Sequence, residues 1–265
     1  MIVCFSGTGN SLSMARDLSR RLGDEPVISF PEWTRKAPVD LGEKPLVLVF
    51  PVFAFGPPKL VWELILRGPF PAVKPVYAVA TCGGEPGGAL QLFEKRIHGR
   101  GGRLTGGFFI TEWDKWFGRV PAVLARIEKT IREGGETRIP HGNAFITFLS
   151  SPLYKGFCRR VGDYGRKFRA DEKCTKCGLC AKVCPTGNIT VSPERGPGWA
   201  RKCEACLACY AWCPAKAINL SWMKRLLPVS FPKDVKASDV ADLNAEKTLP
   251  LIGRKIPSDY SGNQG

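Results

Sequence analysis

The sequence predicts an α/β protein in which a doubly wound, five-stranded parallel sheet is followed by a small α+β domain. Three observations support this prediction. Short apolar runs alternate with helical patterns up to residue 133, which is typical of a parallel sheet covered by helices on both faces. Loops rich in Gly, Ser and Pro follow several of the apolar runs. Further along the chain, a cysteine-rich motif occurs twice.

Each element of the predicted sheet has its own signal. Residues 45–50 (PLVLVF) are continuously apolar, as expected of a strand buried on both faces. Leu12, Ala15 and Leu18 follow helical spacing, and Gly23 ends that pattern. The predicted strands are 2–5, 27–30, 45–50, 76–81 and 104–110; the predicted helices are 12–22, 59–67, 88–98 and 120–133; and residues 32–44 are expected to be a polar connection.

Three loops with unusual composition each follow a predicted strand, at 6–11, 51–57 and 81–87. In an open parallel sheet, ligands bind outside the carboxyl ends of the strands at the topological switch point. These loops are therefore expected to meet at one rim. The candidate binding residues there are Ser6, Gly7, Thr8, Gly9, Asn10, Ser11, Pro51, Val52, Phe53, Ala54, Phe55, Gly56, Thr81, Cys82, Gly83, Gly84 and Gly87.

The first of these loops has the chemistry of an anion site. Residues 6–11 read SGTGNS and join a strand to the beginning of a helix, so that backbone N–H groups, hydroxyls and the helix dipole favour a phosphate. The hexapeptide resembles the phosphate loop of flavodoxins, and this resemblance implies a flavodoxin-like fold that binds FMN. A plain turn with an N-cap is the alternative.

Aromatic and glycine residues on the other two loops suit a flavin ring. Phe53 and Phe55 are expected to supply one face, and the Gly83–Gly84 peptide is expected to approach the other. Flavodoxins often have Trp and Tyr beside the ring where this chain has Phe, so the stacking residue stays open. Packing in the core is the alternative for both Phe side chains and for the Cys82 thiol.

The duplicated motif predicts two 4Fe–4S clusters. CTKCGLCAKVCP at 174–185 and CEACLACYAWCP at 203–214 share the spacing C-x2-C-x2-C-x3-C-P. In such runs the first three cysteines bind one cluster and the fourth ligates the other. Disulfides and zinc fit this spacing poorly. The predicted ligand sets are Cys174, Cys177, Cys180 and Cys213 for the first cluster, and Cys203, Cys206, Cys209 and Cys184 for the second.

Taken together, these motifs resemble the flavodoxin–ferredoxin fusion proteins of anaerobic bacteria and archaea. The resemblance covers roughly residues 1–220 and implies a flavodoxin-like FMN domain at 1–145, a connector at 146–170, a two-cluster ferredoxin domain at 171–222 and a tail at 223–265. The apolar segments 189–191 and 218–220 are expected to be the paired strands of the ferredoxin fold. The connector is expected to be partly helical around 153–168.

Two functions remain open at this level. The protein is expected either to pass electrons between a partner, two clusters and FMN, or to reduce a small molecule at its own flavin. A flavodoxin-like half that has lost flavin and binds a partner is a third alternative. No nucleophile–base pair or catalytic carboxylate pair stands out, so no catalytic residue is assigned and enzyme activity stays undecided.

Charge and hydropathy narrow the expected surroundings. The formal net charge is +15 with dispersed basic residues, which favours an acidic redox partner or an anionic acceptor over nucleic acid. No signal peptide or spanning segment is recognised. We therefore expect a cytoplasmic protein without membrane or nucleic-acid partners, and a homodimer is an open alternative.

Overall fold

The structure, a computed structural model, describes residues 1–35, 44–65, 75–220 and 231–245. Five parallel strands form one sheet in the order β2-β1-β3-β4-β5, which is the flavodoxin-like order. The predicted fold class, a doubly wound sheet followed by a small domain, is confirmed. The strands are β1 Ile2–Cys4, β2 Val27–Ser29, β3 Leu46–Pro51, β4 Val76–Cys82 and β5 Leu104–Thr111.

Helices cover both faces of this sheet, so its central strand is buried on both sides. Val47 and Val49 of β3 belong to one apolar core, whereas Leu46, Leu48 and Phe50 belong to the other. Alternation along a strand sends successive side chains to opposite faces. The helices are α1 Asn10–Arg21, α2 Phe30–Arg35, α3 Lys59–Ile65, α4 Ala89–His98, α5 Glu112–Trp116 and α6 Val120–Arg132.

Two predicted segments differ from the structure or extend beyond it. The prediction that residues 32–44 form a polar connection is wrong for its first part, which belongs to α2. Phe30 and Trp33 are buried there, and burial of their rings outweighs the weak helical signal of so short a segment. Residues 36–43, and the end of the helix predicted at 59–67, lie outside the described residues.

The connector is more helical than expected. It contains α7, Ala144–Arg160, followed by a 3-10 helix at Val161–Lys167. Pro152 and Gly156 disfavour a helix locally, but Tyr154 and Cys158 on the same helix are buried. The Tyr154 hydroxyl also donates to the Pro57 carbonyl at 2.8 Å. Packing against the first domain therefore sets the helix length.

The small domain contains two antiparallel strand pairs and two short helices. The prediction that segments 189–191 and 218–220 pair with each other is wrong, because each is a strand with a different partner. The segment after each C-P motif pairs with chain outside the motif. The pairs are β6 Phe168–Ala170 with β9 Ile218–Leu220, and β7 Ile189–Ser192 with β8 Gly196–Trp199; the helices are α8 Leu179–Lys182 and α9 Ala208–Ala211.

A last helix, α10 at Ala237–Leu243, joins the two domains. Its Val240 is buried in the same apolar core as Val183 and Ala208 of the small domain. The remaining parts of the predicted tail, 223–230 and 246–265, lie outside the described residues. In the ranges that the structure describes, no helix is both long enough and apolar enough to cross a membrane.

Candidate functional site

A cavity of about 210 Å³ lies at the carboxyl ends of β1, β3 and β4, where the strand order reverses. The three loops that the sequence predicted to meet do meet here. Predicted binding residues that line the cavity are Ser6, Gly7, Thr8, Asn10, Ser11, Pro51, Val52, Phe53, Thr81, Cys82 and Gly83. The structure thus gathers at one rim residues that are distant in sequence.

The loop before α1 retains the features of an anion site. Gly9 is the N-cap of α1, with φ of 93°, and within the described chain no side chain caps this helix. Its first-turn N–H groups are therefore available to a ligand. The Asn10 amide donates to the Thr8 hydroxyl at 3.1 Å, and the Ser11 and Thr81 hydroxyls lie 2.8 Å apart. These polar groups fit a phosphate.

A lysine and a glutamate that the sequence analysis did not assign also line the cavity. The Lys115 ammonium donates to Asn10 Oδ1 and to Glu112 Oε1, both at 2.7 Å. Because residues three apart share one face of a helix, α5 directs this pair to the cavity. Thr111 and Asp114 form a capping box that fixes the start of α5. Their position after β5 was the available signal.

The tryptophans of α5 face away from the cavity. Trp113 and Trp116 are 53% and 71% exposed, and neither contributes to the cavity lining. Their predicted contacts, either with a ligand or with the ferredoxin domain, are absent among the described residues. The two rings instead contact each other edge to face, with centroids 5.2 Å apart.

Phe53 is the aromatic ring in the cavity lining, whereas Phe55 lies elsewhere. Ala54 and Phe55 have φ of 47° and 66°, and two hydrogen bonds between Phe53 and Gly56 close the turn. This left-handed pair turns Phe55 toward Gly87, where an added Cβ would lie 3.0 Å from the Phe55 side chain. The predicted residues outside the lining are Gly9, Ala54, Phe55, Gly56, Gly84 and Gly87.

The Cys82 thiol has no sign of nucleophilic activation. Burial raises its pKa to about 12, and the Gly84 carbonyl accepts its S–H at 3.3 Å. A thiol with this pKa is neutral at physiological pH. Cys82 therefore contributes shape rather than charge to the cavity.

The eight motif cysteines surround two further cavities in the interleaved arrangement that the spacing predicts. The first cysteine set comprises Cys174, Cys177, Cys180 and Cys213, and these residues line one cavity. The second cysteine set comprises Cys203, Cys206, Cys209 and Cys184, and these residues line the other. All eleven cysteines of the chain are free of disulfides. Four thiols around each cavity are the donor set of a 4Fe–4S cluster.

The two cysteine motifs have the same unusual backbone. Lys176 and Ala205 occupy equivalent positions and have φ of 56° and 53°. Gly178 and Leu207, also equivalent, have φ of 78° and 60°. Left-handed residues are costly for side chains other than glycine, yet Lys, Ala and Leu adopt this conformation here. The turn between successive cysteines is thus held by the domain around it.

Desolvation keeps the cysteine thiols protonated until metal binds. Burial raises the pKa of Cys203 to about 12 and that of Cys180 to about 11. Cluster ligands are thiolates, so iron must displace these protons. Such a thiol set fits a strongly bound, positively charged iron centre.

The second cysteine set directly adjoins the rim cavity. Cys206 and Leu207 line both the rim cavity and the cavity of the second cysteine set. A Cβ built on Gly7 would lie only 2.3 Å from the Cys206 carbonyl oxygen. The phosphate-type loop and a cluster-ligand loop are therefore in backbone contact.

Hydrogen bonds fix this contact between the domains. The Trp212 indole donates to the Gly7 carbonyl at 2.9 Å. The buried Glu204 carboxyl group accepts from the Leu60 amide, also at 2.9 Å. Burial raises the pKa of Glu204 to about 8, although the Leu60 N–H acts in the opposite direction. The relative position of the two domains is thus specified by buried polar contacts.

Comparison with known proteins identifies the second half of the chain. The 4Fe–4S dicluster domain family matches residues 166–221. This region contains both cysteine sets. Residues 166–221 form a 4Fe–4S dicluster domain.

The relatives match the chain over part of its length. The dicluster region is similar to a component of the ion-translocating oxidoreductase complex of Methanosarcina acetivorans, with 41% identity over 23% of this chain and 24% of that protein. It is also similar to an iron–sulfur protein of Rhodospirillum rubrum, with 33% identity over 24% of this chain and 43% of that protein. The chain spans less than half the length of either relative.

Among solved structures, the Trp repressor binding protein from Bacillus subtilis is 19% identical, with a TM-score of 0.33 over 42% of this chain and 84% of that one.

Proposed function

We propose that the protein transfers electrons between two 4Fe–4S clusters, held by the two cysteine sets, and an FMN bound in the rim cavity. The observation that carries this proposal is that Cys206 and Leu207 line both the rim cavity and the second cysteine cavity. When bound, the clusters supply one-electron chemistry, and the flavin supplies one- and two-electron chemistry.

The residues of the rim cavity would each contribute to binding. The uncapped start of α1 and the hydroxyls of Thr8 and Ser11 provide donors for the phosphate. Phe53 offers an aromatic surface for the ring. The Gly7 carbonyl accepts from Trp212, so the loop is held against the dicluster domain when the ligand binds.

The size of the cavity supports electron transfer over reduction of an organic substrate. Its volume of about 210 Å³ is below the roughly 300–1,000 Å³ usual for small-molecule sites. A flavin seated here would extend to its open side and leave no room for a second organic molecule. The reductase alternative would need a larger space beside the flavin.

Anaerobic purification and cofactor analysis test the proposed function. We expect about one FMN and about eight iron atoms per chain. After rapid mixing with a one-electron donor, flavin reduction is expected at a rate independent of protein concentration, because the transfer is intramolecular. Full iron content without uptake of FMN, or a rate proportional to protein concentration, would contradict the proposal.

Replacing Lys115 by methionine is expected to weaken FMN binding about 10–100-fold. A hydrogen bond to a charged group contributes about 1.5–3 kcal/mol, and each 1.4 kcal/mol is about tenfold in affinity. Lys115 places its charge beside Asn10 of the phosphate-type loop. Quenching of flavin fluorescence on binding to apoprotein measures the affinity.

The matched control is Lys129→Met, because the Lys129 side chain is 75% exposed and pairs only with Glu133 on the surface of α6. This variant should bind FMN normally. Riboflavin distinguishes two roles for Lys115. If the lysine acts on the phosphate, riboflavin affinity stays unchanged; an equal loss for both ligands would instead show that it shapes the loop.

An acidic electron carrier is the proposed partner. The formal charge of +15 steers acidic proteins toward the surface, and this effect weakens as salt screens the charge. Electron exchange with an acidic carrier should therefore slow at least several-fold between low and physiological salt, while exchange with a neutral mediator should not. Stopped-flow kinetics at both ionic strengths compare the two.

A further inference from the structure

We propose that Trp199 donates its indole N–H to the sulfur of Cys209 and thereby raises the reduction potential of a cluster held by the second cysteine set. The proposal concerns the dicluster domain alone. It does not depend on whether the rim cavity binds FMN.

The position of Trp199 is fixed by the fold. It is the last residue of β8, and it pairs with Ile189 of β7. Its ring stacks on Phe168, with centroids 5.9 Å apart and planes 18° from parallel. Two constraints, one on the backbone and one on the ring, thus hold the indole in place.

The indole N–H is buried beside the cysteines. Trp199 Nε1 is inaccessible to solvent and has no oxygen or nitrogen acceptor within the described chain. Leaving such a donor unsatisfied costs about 1–3 kcal/mol. The same side chain lines the cavity of the second cysteine set together with Cys209, and it lies close enough to stabilise the Cys209 thiolate. A ligand sulfur is therefore the acceptor that this donor finds.

The first cysteine set has no corresponding donor from its strands. Where β7 and β8 line that cavity, they present Val191 and Pro197, whose side chains carry no N–H group. The two sets also differ in exposure, since Cys177 is exposed whereas Cys184 and Cys209 are buried. The tryptophan thus acts on one of the two sites only.

The physical effect follows from charge. Reduction adds one negative charge to a cluster, and hydrogen bonds to the ligand sulfurs stabilise that charge and raise the potential. Burial has the opposite effect, because a low dielectric disfavours added charge. Trp199 therefore offsets part of the burial cost at the second cysteine set, the set that adjoins the rim cavity.

The test uses the anaerobically purified full-length protein and Trp199→Phe, which keeps an aromatic ring to stack on Phe168 but removes the N–H. At a fixed applied potential, the ratio of reduced to oxidised cluster should fall about tenfold for one cluster, which corresponds to about 59 mV for one electron. The other cluster should be unchanged. Electron paramagnetic resonance during stepwise reduction measures both.

Trp116→Phe is the matched control, because Trp116 is 71% exposed and lines neither cysteine cavity. It should leave both potentials unchanged. Unchanged potentials in Trp199→Phe with full iron content would overturn the proposal, as would equal shifts of both clusters.

A measurement on the unmodified sequence covers the case in which Trp199→Phe fails to assemble. Electron–nuclear double resonance on reduced protein carrying 15N-indole tryptophan should show one exchangeable indole proton coupled to a cluster. The absence of any indole coupling would overturn the proposal. Loss of FMN binding would leave both readouts unaffected, so the two proposals fail separately.

Discussion

Replacing Gly7 by alanine is expected to lower the free energy of unfolding by about 3 kcal/mol and to abolish FMN binding, because packing one extra methyl group into a close contact costs about 1–3 kcal/mol or more. The new Cβ would lie 2.3 Å from the Cys206 carbonyl oxygen and 2.9 Å from the Cys206 Cβ. Neither atom is the end of a flexible side chain, so the two domains must separate or the loop must distort. Chemical denaturation and fluorescence binding measure the two effects.

Gly83→Ala is the matched control for this substitution. Gly83 lines the same cavity, but a Cβ added there would have no atom within 4 Å among the described residues. Its stability should change by no more than about 0.5 kcal/mol. If Gly7→Ala unfolds at the same denaturant concentration as the original protein and still binds FMN, the contact between the domains is not the one described.

Replacing Cys184 by serine is expected to halve the iron content, from about eight to about four atoms per chain. The lost cluster should be that of the second cysteine set, although Cys184 belongs to the first sequence motif. The structure carries this expectation, because Cys184 lines one cavity with Cys203, Cys206 and Cys209. Iron analysis after anaerobic reconstitution gives the content.

Double variants decide which cysteines share a cluster. Cys184→Ser with Cys209→Ser should keep about four iron atoms, because both changes remove the same cluster. Cys184→Ser with Cys180→Ser should lose nearly all iron, because the changes fall in different sets. The reverse pattern would show that each motif binds its own cluster without interleaving. Cys158→Ala serves as the control, since Cys158 lies outside both sets and should leave the iron content intact.

Local patterns were sufficient for the elements whose signals repeat over short distances. The apolar run at β3 predicted a strand buried on both faces, since burial on two sides requires continuous apolar residues. The glycine and hydroxyl residues at 6–11 predicted the rim, because the carboxyl ends of parallel strands meet at one edge. The cysteine spacing predicted both ligand sets, and the two cavities gather those residues.

Other features depend on packing between distant segments, which local patterns do not report. The length of α7 follows from burial of Tyr154 against the first domain despite an internal proline. The outward direction of Trp113 and the inward direction of Lys115 follow from where the capping box begins α5. A shift of one residue in that start would exchange the faces, so composition alone does not fix them.

The sequence by itself determined the sheet order class, the anion-type loop and the two interleaved cysteine sets, because each rests on spacing within a short stretch of chain. Only the tertiary structure decided that Cys206 lies against Gly7 and that one cysteine loop lines two cavities. Residues 7 and 206 are almost two hundred positions apart, and their contact exists because buried hydrogen bonds and a shared apolar core hold the two domains together.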